Sequence, residues 1–458
     1  MKWMSTGAVL ALALALAAGN AAADVSAEEA AALGKTLTPV GAIKAGNADG
    51  SVPAYTGPIT QYPADYKPGS GRWTNPYRDE KPLYSVTAQT VDKYADKLTD
   101  GEKELFRRYP DYRMEVYPSH RDAGFPQYWL DKSVKNATAA KLTGPTADKN
   151  DIVEGAWGGV PFPIPKNGSE AMWNYKLRYY PYLELRNSNT YLMDSAGHTT
   201  TIASITTFYN SPYSAPDSKT GPWALQYPNF SSAPPRIAGQ IQLIYEPLDY
   251  ANSDLTYWAY TPGQRRVRLA PEAKYDTPAA VYGGVIVYDE ISMFTGRLDR
   301  FDWKLAGRKE ILIPYHTYDM DFNAAPDKVM GPHFPNPDVM RWELHRVWVV
   351  ESTLKKDKRH IYSKRNFYLD EDSWNIVASD AWDLGGKLYR VAFQNSAPMY
   401  GGTPYPWAST ATYFDLNKGA WAHTTNSGGA SGAGYFIHDK FPPDVPLQAD
   451  ALAGYGIR

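Results

Sequence analysis

From about residue 180 onward, apolar and polar positions alternate along the chain with a period of two, the mark of half-buried strands. HTTTIASITTFYN (198–210) is β-branched and aromatic, as strands favour. IQLIYEPLD (241–249) and LTYWAYTPG (255–263) are joined by a turn-rich link, and QRRVRLAP (264–271) continues after Gly263. Then RWELHRVWVVESTL turns through KKDK into RHIYSKRNFYLD, and WNIVASDAWD turns through LGGK into LYRVAFQN. Strands linked by such short turns are antiparallel neighbours, so this half reads as a meander.

The first two fifths carry a helical period instead. SAEEAAALGK predicts a short helix capped by Ser26 and ending near Gly34. A longer helix is expected from about 88 to 107, with Val91, Tyr94, Leu98, Leu105 and Phe106 on one face. GSEAMWNYKLRYY (168–180) predicts a third, capped by Ser169. Between the first two, residues 38–77 are rich in Gly and Pro without a period, which predicts an extended arm. The expected architecture is α+β and β-dominant: a large curved antiparallel sheet with helices covering one face and Pro/Gly-rich arms. Residues 24–180 supply helices and arm, 181–458 the meander, and 24–458 form one folded unit.

Ahead of this lies a leader. Lys2, the apolar run GAVLALALALAAG and the small residues Ala21 and Ala23 form a secretory signal pattern, with cleavage expected after Ala23. The run is shorter than the ~20 residues that span a bilayer. Export implies the periplasm. With no cysteine, the chain has neither a lipid-anchor site nor a disulfide, so the core alone must stabilise it. A net charge of −2 is not the balance of a protein that neutralises nucleic-acid phosphates. The 35 Tyr, 14 Trp and 14 Phe suit large β surfaces and apolar or sugar-binding faces.

Candidate chemistry is sparse. G-x-S-x-G, G-x-x-x-x-G-K-[ST], G-x-G-x-x-G and H-E-x-x-H motifs are all missing. Asp370, Glu371 and Asp372 follow an alternating run and precede another, so they are expected to form a hairpin corner. His316, Asp319 and Asp321 match no metal spacing and are expected in a loop. His345 and His360 are placed to pair across a hairpin. Several arginines alternate with apolar residues. They can form a cross-strand ladder with acids such as Glu343 and Glu351, or grip an anionic head group.

Four segments carry a resemblance: LTPVGAIKAGNADGSVPAYTG, QRRVRLAPEAKYDTP, FTGRLDRFDWKLAGRKEILIPYHTYD and, above all, RWELHRVWVVESTLKKDKRHIYSKRNFYLDEDSW. They resemble domain-of-unknown-function family 1329, exported Gram-negative proteins often labelled outer-membrane lipoprotein-sorting proteins. The resemblance implies a fold similar to the periplasmic lipoprotein carriers, a half-open barrel with helices over an apolar cavity. It also implies work beside lipid-exporting transporters of the resistance-nodulation type and outer-membrane proteins.

The leading expectation is therefore a carrier for a lipid or other hydrophobic molecule, without catalytic residue, cofactor or metal. Trp258, Leu344, Trp348, Val350, Ile361, Phe367 and Leu369 are the expected cavity lining. Arg266, Arg268, Arg346 and Arg365 are the expected head-group contacts. A structural adaptor with a solid interior is one alternative. The other is a secreted carbohydrate-active enzyme or sugar-binding protein using Asp370, Asp372 or Asp321.

Overall fold

The computed structural model describes residues 25–217, 221–406, 410–429 and 432–455. The expected leader at 1–23 lies outside them. No helix among the described residues is long and apolar enough to cross a membrane.

The first 180 residues contain helices α1 (Ala27–Ala30), α2 (Asp100–Arg108), α3 (Gln127–Ala139) and α4 (Gly168–Lys176). They also contain four short strands: β1 (Tyr84–Thr87), β2 (Arg113–Val116), β3 (Lys141–Thr143) and β4 (Ile152–Glu154). A first meander follows: β5 (Tyr182–Met193), β6 (Thr199–Tyr209), β7 (Trp223–Ala233), β8 (Ile241–Pro247), β9 (Thr256–Thr261) and β10 (Arg266–Leu269). After an irregular strap come β11 (Phe301–Pro314), a second meander of β12 (Trp342–Leu354), β13 (Tyr362–Asp370), β14 (Ile376–Asp383), β15 (Leu388–Gln394), β16 (Ala411–Asp415) and β17 (Ala420–Asn426), and last β18 (Gly434–His438).

All strands except β3 and β4 join one 16-stranded sheet. It runs β1-β2-β12-β13-β14-β15-β16-β17-β5-β6-β7-β8-β9-β10, with β11 added to β12 and β18 to β5. Its ends do not meet, so it is an open sheet and not a closed barrel. Pairing is antiparallel except for one parallel contact of β2 with β12. The two meanders are joined by β17 on β5, through Trp421↔Met193, Ala422↔Leu192 and His423↔Tyr191.

The second meander is buried on both faces, and its alternation sorts the side chains into two cores. Phe367, Leu369, Ala392, Tyr413 and Ala422 enter one, under α4 through Met172 and Trp173. Tyr368, Val391, Phe393, Phe414 and Trp421 enter the other, under Leu105 and Phe106 of α2.

The helices differ in detail from the pattern. The stretch 88–107 is broken: a 3-10 turn spans Val91–Lys97 and Leu98 is extended, because Thr99 starts a new helix with a reciprocal capping box to Glu102. Asn167, not Ser169, caps α4 by accepting from the Glu170 N–H at 2.9 Å. Helix α3 was not foreseen because its buried stripe includes Ser133 and Asn136, which satisfy themselves on the Trp129, Gly158 and Val160 carbonyls. The DEDS corner does join β13 to β14, with Trp374 in the left-handed region at φ 62°.

A tyrosine-lined cavity under a strap

The first meander bends around a cavity of about 90 Å³. Its wall consists of cross-strand rows, as alternation requires. Leu185, Thr207, Asn229 and Gln242 face one another in register across β5 to β8. Tyr227, Ile244 and Tyr257 form the next row. The second meander closes the far side with Gln394, Ala411 and Thr424, again a register row, and with Tyr413.

The cover is the strap between β10 and β11, which contributes Tyr282, Tyr288, Ile291 and Ser292 to the lining. It is fastened to the second meander by buried polar contacts. Asp289 meets Arg365 at 3.1 Å and His360 at 3.0 Å. The Tyr362 hydroxyl donates to Glu290 at 2.8 Å, and the Tyr413 hydroxyl to the Glu290 carbonyl at 3.1 Å. Burial alone would raise the Asp289 pKa, but Arg365 and His360 outweigh it and hold the carboxyl below its ordinary value.

The lining is amphipathic rather than greasy. Tyr180, Tyr209 and Tyr227 stack in series with ring centroids 5.2 and 5.4 Å apart. Burial raises the Tyr209, Tyr227 and Tyr257 pKa values well above normal, so these rings present neutral hydroxyls. Amide and hydroxyl groups of Asn229, Gln242, Gln394 and several threonines alternate with them, and no Asp or Glu lines the wall.

None of the residues chosen from sequence lies on this wall. Trp348, Val350, Phe367 and Leu369 belong to the solid core beneath α4, and Leu344 to the core beneath α2. Trp258 packs with Tyr245 on the outer side of β9, and Ile361 beside Val287 and Tyr362. For those on β12 and β13 the reason is double burial: alternation there separates two packed faces, not a packed face from a hollow one. The chosen arginines are likewise placed elsewhere. Arg365 fastens the strap, Arg346 pairs with Glu371 at 2.9 Å, and Arg266 and Arg268 are exposed on the end strand β10. Charge on such an edge discourages strand addition by another chain.

Asp370, Glu371 and Asp372 are a corner, yet a fully buried one. Arg121 binds Asp372 with two bonds of 2.8 Å and Glu371 at 3.1 Å. Arg121 also donates to the carbonyls of Ile43 and Pro53 at 2.8 and 3.2 Å, while the Trp374 indole donates to the Val40 carbonyl. The acids thus clamp the Gly/Pro-rich arm onto the sheet. Burial first, then mutual repulsion with Asp372, raises the Asp370 and Glu371 pKa values. His345, Asp370 and Asp372 form the one group among the described residues with ligand atoms close enough, within 4.8 Å, to consider a cation. Arg121 takes both Asp372 oxygens, and Asp370 accepts from the Ser373 hydroxyl and the Asp372 N–H.

His316 lies between Glu343 at 2.8 Å and Asp122 at 3.0 Å, not beside Asp319 or Asp321. Burial opposes its charge, but the two carboxylates prevail and its pKa rises to about 9. Asp319 instead accepts from Asn75, and Asp321 from Thr317. His345 and His360 do not pair; each has its own carboxylate, Glu343 and Asp289. Arg341 does pair with Glu343 at 2.6 Å, but along one strand, two residues apart, and not across the sheet.

Fold and cavity together define an open β-sheet protein with a strapped, ligand-sized hollow. The chain belongs to the DUF1329 family, described as a protein of unknown function, whose model matches residues 85–448. It is 40% identical over 414 residues to the uncharacterized protein PA3922 of Pseudomonas aeruginosa, covering 90% of each chain. Among solved structures it is similar to a DUF1329 family protein from Desulfovibrio piger, with TM-score 0.40 and 15% identity over 62% of this chain and 95% of that one. It is also similar to a LolA superfamily protein from Nitrosomonas europaea, with TM-score 0.34 and 11% identity over 61% and 95% of the two chains.

Proposed function

We propose that this protein binds and carries a small hydrophobic or amphipathic molecule in the periplasm. The observation that supports this is the cavity of about 90 Å³ between the two meanders, walled by stacked tyrosines and covered by the strap. A solid-cored adaptor would have no such space. A buried water needs about 10–15 Å³ of this kind of volume. The cavity therefore has room for about six to nine water-sized groups, a ligand of roughly ten heavy atoms. A whole diacyl lipid would require the strap to lift. Each methylene removed from water contributes about 0.8 kcal/mol, so eight give about 6 kcal/mol before the cost of ordering.

Export rests on the leader pattern at residues 1–23. Hand-over to a resistance-nodulation transporter and an outer-membrane protein is the partnership that the family resemblance suggests. The glycosidase reading would need two acids facing each other across an open cleft, and this wall carries none.

The test is extraction of the purified exported protein followed by mass spectrometry, with uptake of a hydrophobic fluorescent probe measured in parallel. A co-purifying amphiphile, or probe uptake abolished by filling the cavity with Ile205→Trp, is expected. Clean protein that also ignores the probe would sink the proposal.

A further inference from the structure

The cavity wall contains one cation that no carboxylate pairs directly, although the surrounding tyrosines and the field of Glu246 outweigh its burial and hold its pKa above the ordinary arginine value. Arg178 lies just after α4, half-buried, and lines the cavity. One of its amino groups donates to the Tyr175 carbonyl at 2.8 Å and the other to the Tyr180 hydroxyl. Its guanidinium stacks between those two rings, 4.0 and 4.7 Å from their centroids. No carboxylate among the described residues forms an ion pair with it. The nearest candidate is committed elsewhere: Glu246 meets the Lys176 ammonium at 3.4 Å and accepts from Thr295 at 2.7 Å. Lys176, Arg178 and Glu246 line a small adjoining hollow together, so this region holds two cations against one anion.

A partly buried guanidinium whose nearby carboxylate is engaged by other groups gains from an anion that completes it. Arginine has five N–H donors in a planar fork, and the two protein bonds leave others for a carboxylate or phosphate. The stacking on Tyr175 and Tyr180 fixes the fork in place, so little freedom is lost when an anion docks.

We propose that Arg178 is the anion-recognition residue of the cavity, and that the cargo is a small amphiphile with a single anionic group whose apolar body lies along the tyrosine ladder. This rests on the carrier reading and names its ligand class. The feature had a weak sequence signal: LRYY places one arginine among aromatics directly after a helix, whereas the arginines that alternate along strands drew attention first.

Calorimetric titration of the full exported chain with octanoate, octyl phosphate, 1-octanol and acetate tests it. Octanoate and 1-octanol share the body and differ in charge; octyl phosphate asks whether the head group is carboxylate or phosphate; acetate asks for the anion alone. At least one anionic octyl compound is expected to bind roughly 10- to 100-fold more tightly than 1-octanol, the range for a hydrogen bond to a charged group. Acetate should bind far more weakly. Arg178→Gln, shown folded by circular dichroism, should bring the anion down to the level of the alcohol, while Arg178→Lys should retain part of the preference.

Equal binding of alcohol and anions by the unaltered protein would overturn the role of Arg178 and leave the carrier reading standing. So would tight anion binding by a folded Arg178→Gln. Binding of none of these, with no probe uptake either, would remove the carrier reading itself.

Discussion

At the residue scale, the buried charges are used mainly as fasteners. His316 is the clearest case, held between Asp122 and Glu343 with its pKa raised to about 9. A raised histidine contributes stability that is full below its unfolded pKa of 6.5 and lost as pH climbs through about 9. The contribution is on the order of 3 kcal/mol. Other buried groups titrate lower: burial raises Asp321 to about 6 and Asp380 to about 7, and each weakens the fold as pH rises toward those values. The window from about pH 7.5 to 9.5 lies above these carboxyls, and the difference between the unaltered protein and a His316→Asn variant removes the opposing contribution of Lys176, whose pKa burial lowers. Urea midpoints measured across it should fall for the unaltered protein. A folded His316→Asn variant, already weaker at pH 7.5, should show little further decline. The same slope in both proteins would contradict the imidazolium.

At the element scale, the strap decides access to the cavity. Asp289 faces Arg365 and His360 in the interior, so Asp289→Ala leaves a buried cation unpaired, a change that typically costs 3–5 kcal/mol. Because Asp289 belongs to the strap, the loss should appear first as local opening. Hydrogen exchange by mass spectrometry should show faster exchange over residues 270–296 than in the β12–β14 core. Uniform acceleration everywhere would mean the pair holds the whole fold and not the cover.

Much of this level was legible in the sequence. The strands at 199–209, 241–247, 256–261 and 342–394 follow the period-two pattern, and the corner at 370–375 follows its turn residues. The strand Phe301–Pro314 was not read as one, although its first half alternates in burial. The expected lining residues sit in packed clusters for a related reason: alternation shows that two faces differ, not which of them is hollow.

At the scale of the whole molecule, two meanders share one sheet and one cavity. Gln394, Ala411 and Tyr413 from the second complete a wall begun by Leu185 and Tyr227 from the first. The halves should therefore unfold together. Equilibrium denaturation followed by tryptophan fluorescence and by far-ultraviolet circular dichroism should give one coincident transition. Two separated transitions would show that the β17–β5 seam is too weak to couple them.

The sequence by itself determined the β-dominant class, strands β6, β8 to β10 and β12 to β15, the turn at DEDS and the arm without regular structure. These follow from local periodicity and turn chemistry, which act over a few residues. Tertiary structure decided which faces are hollow, that Arg178 has no ion-paired carboxylate and what the three acids hold. Those outcomes depend on contacts between residues far apart in the chain, such as Trp421 with Met193 and Arg121 with Asp372. No local pattern encodes them, because each is set by what packs against a side chain once the sheet has assembled.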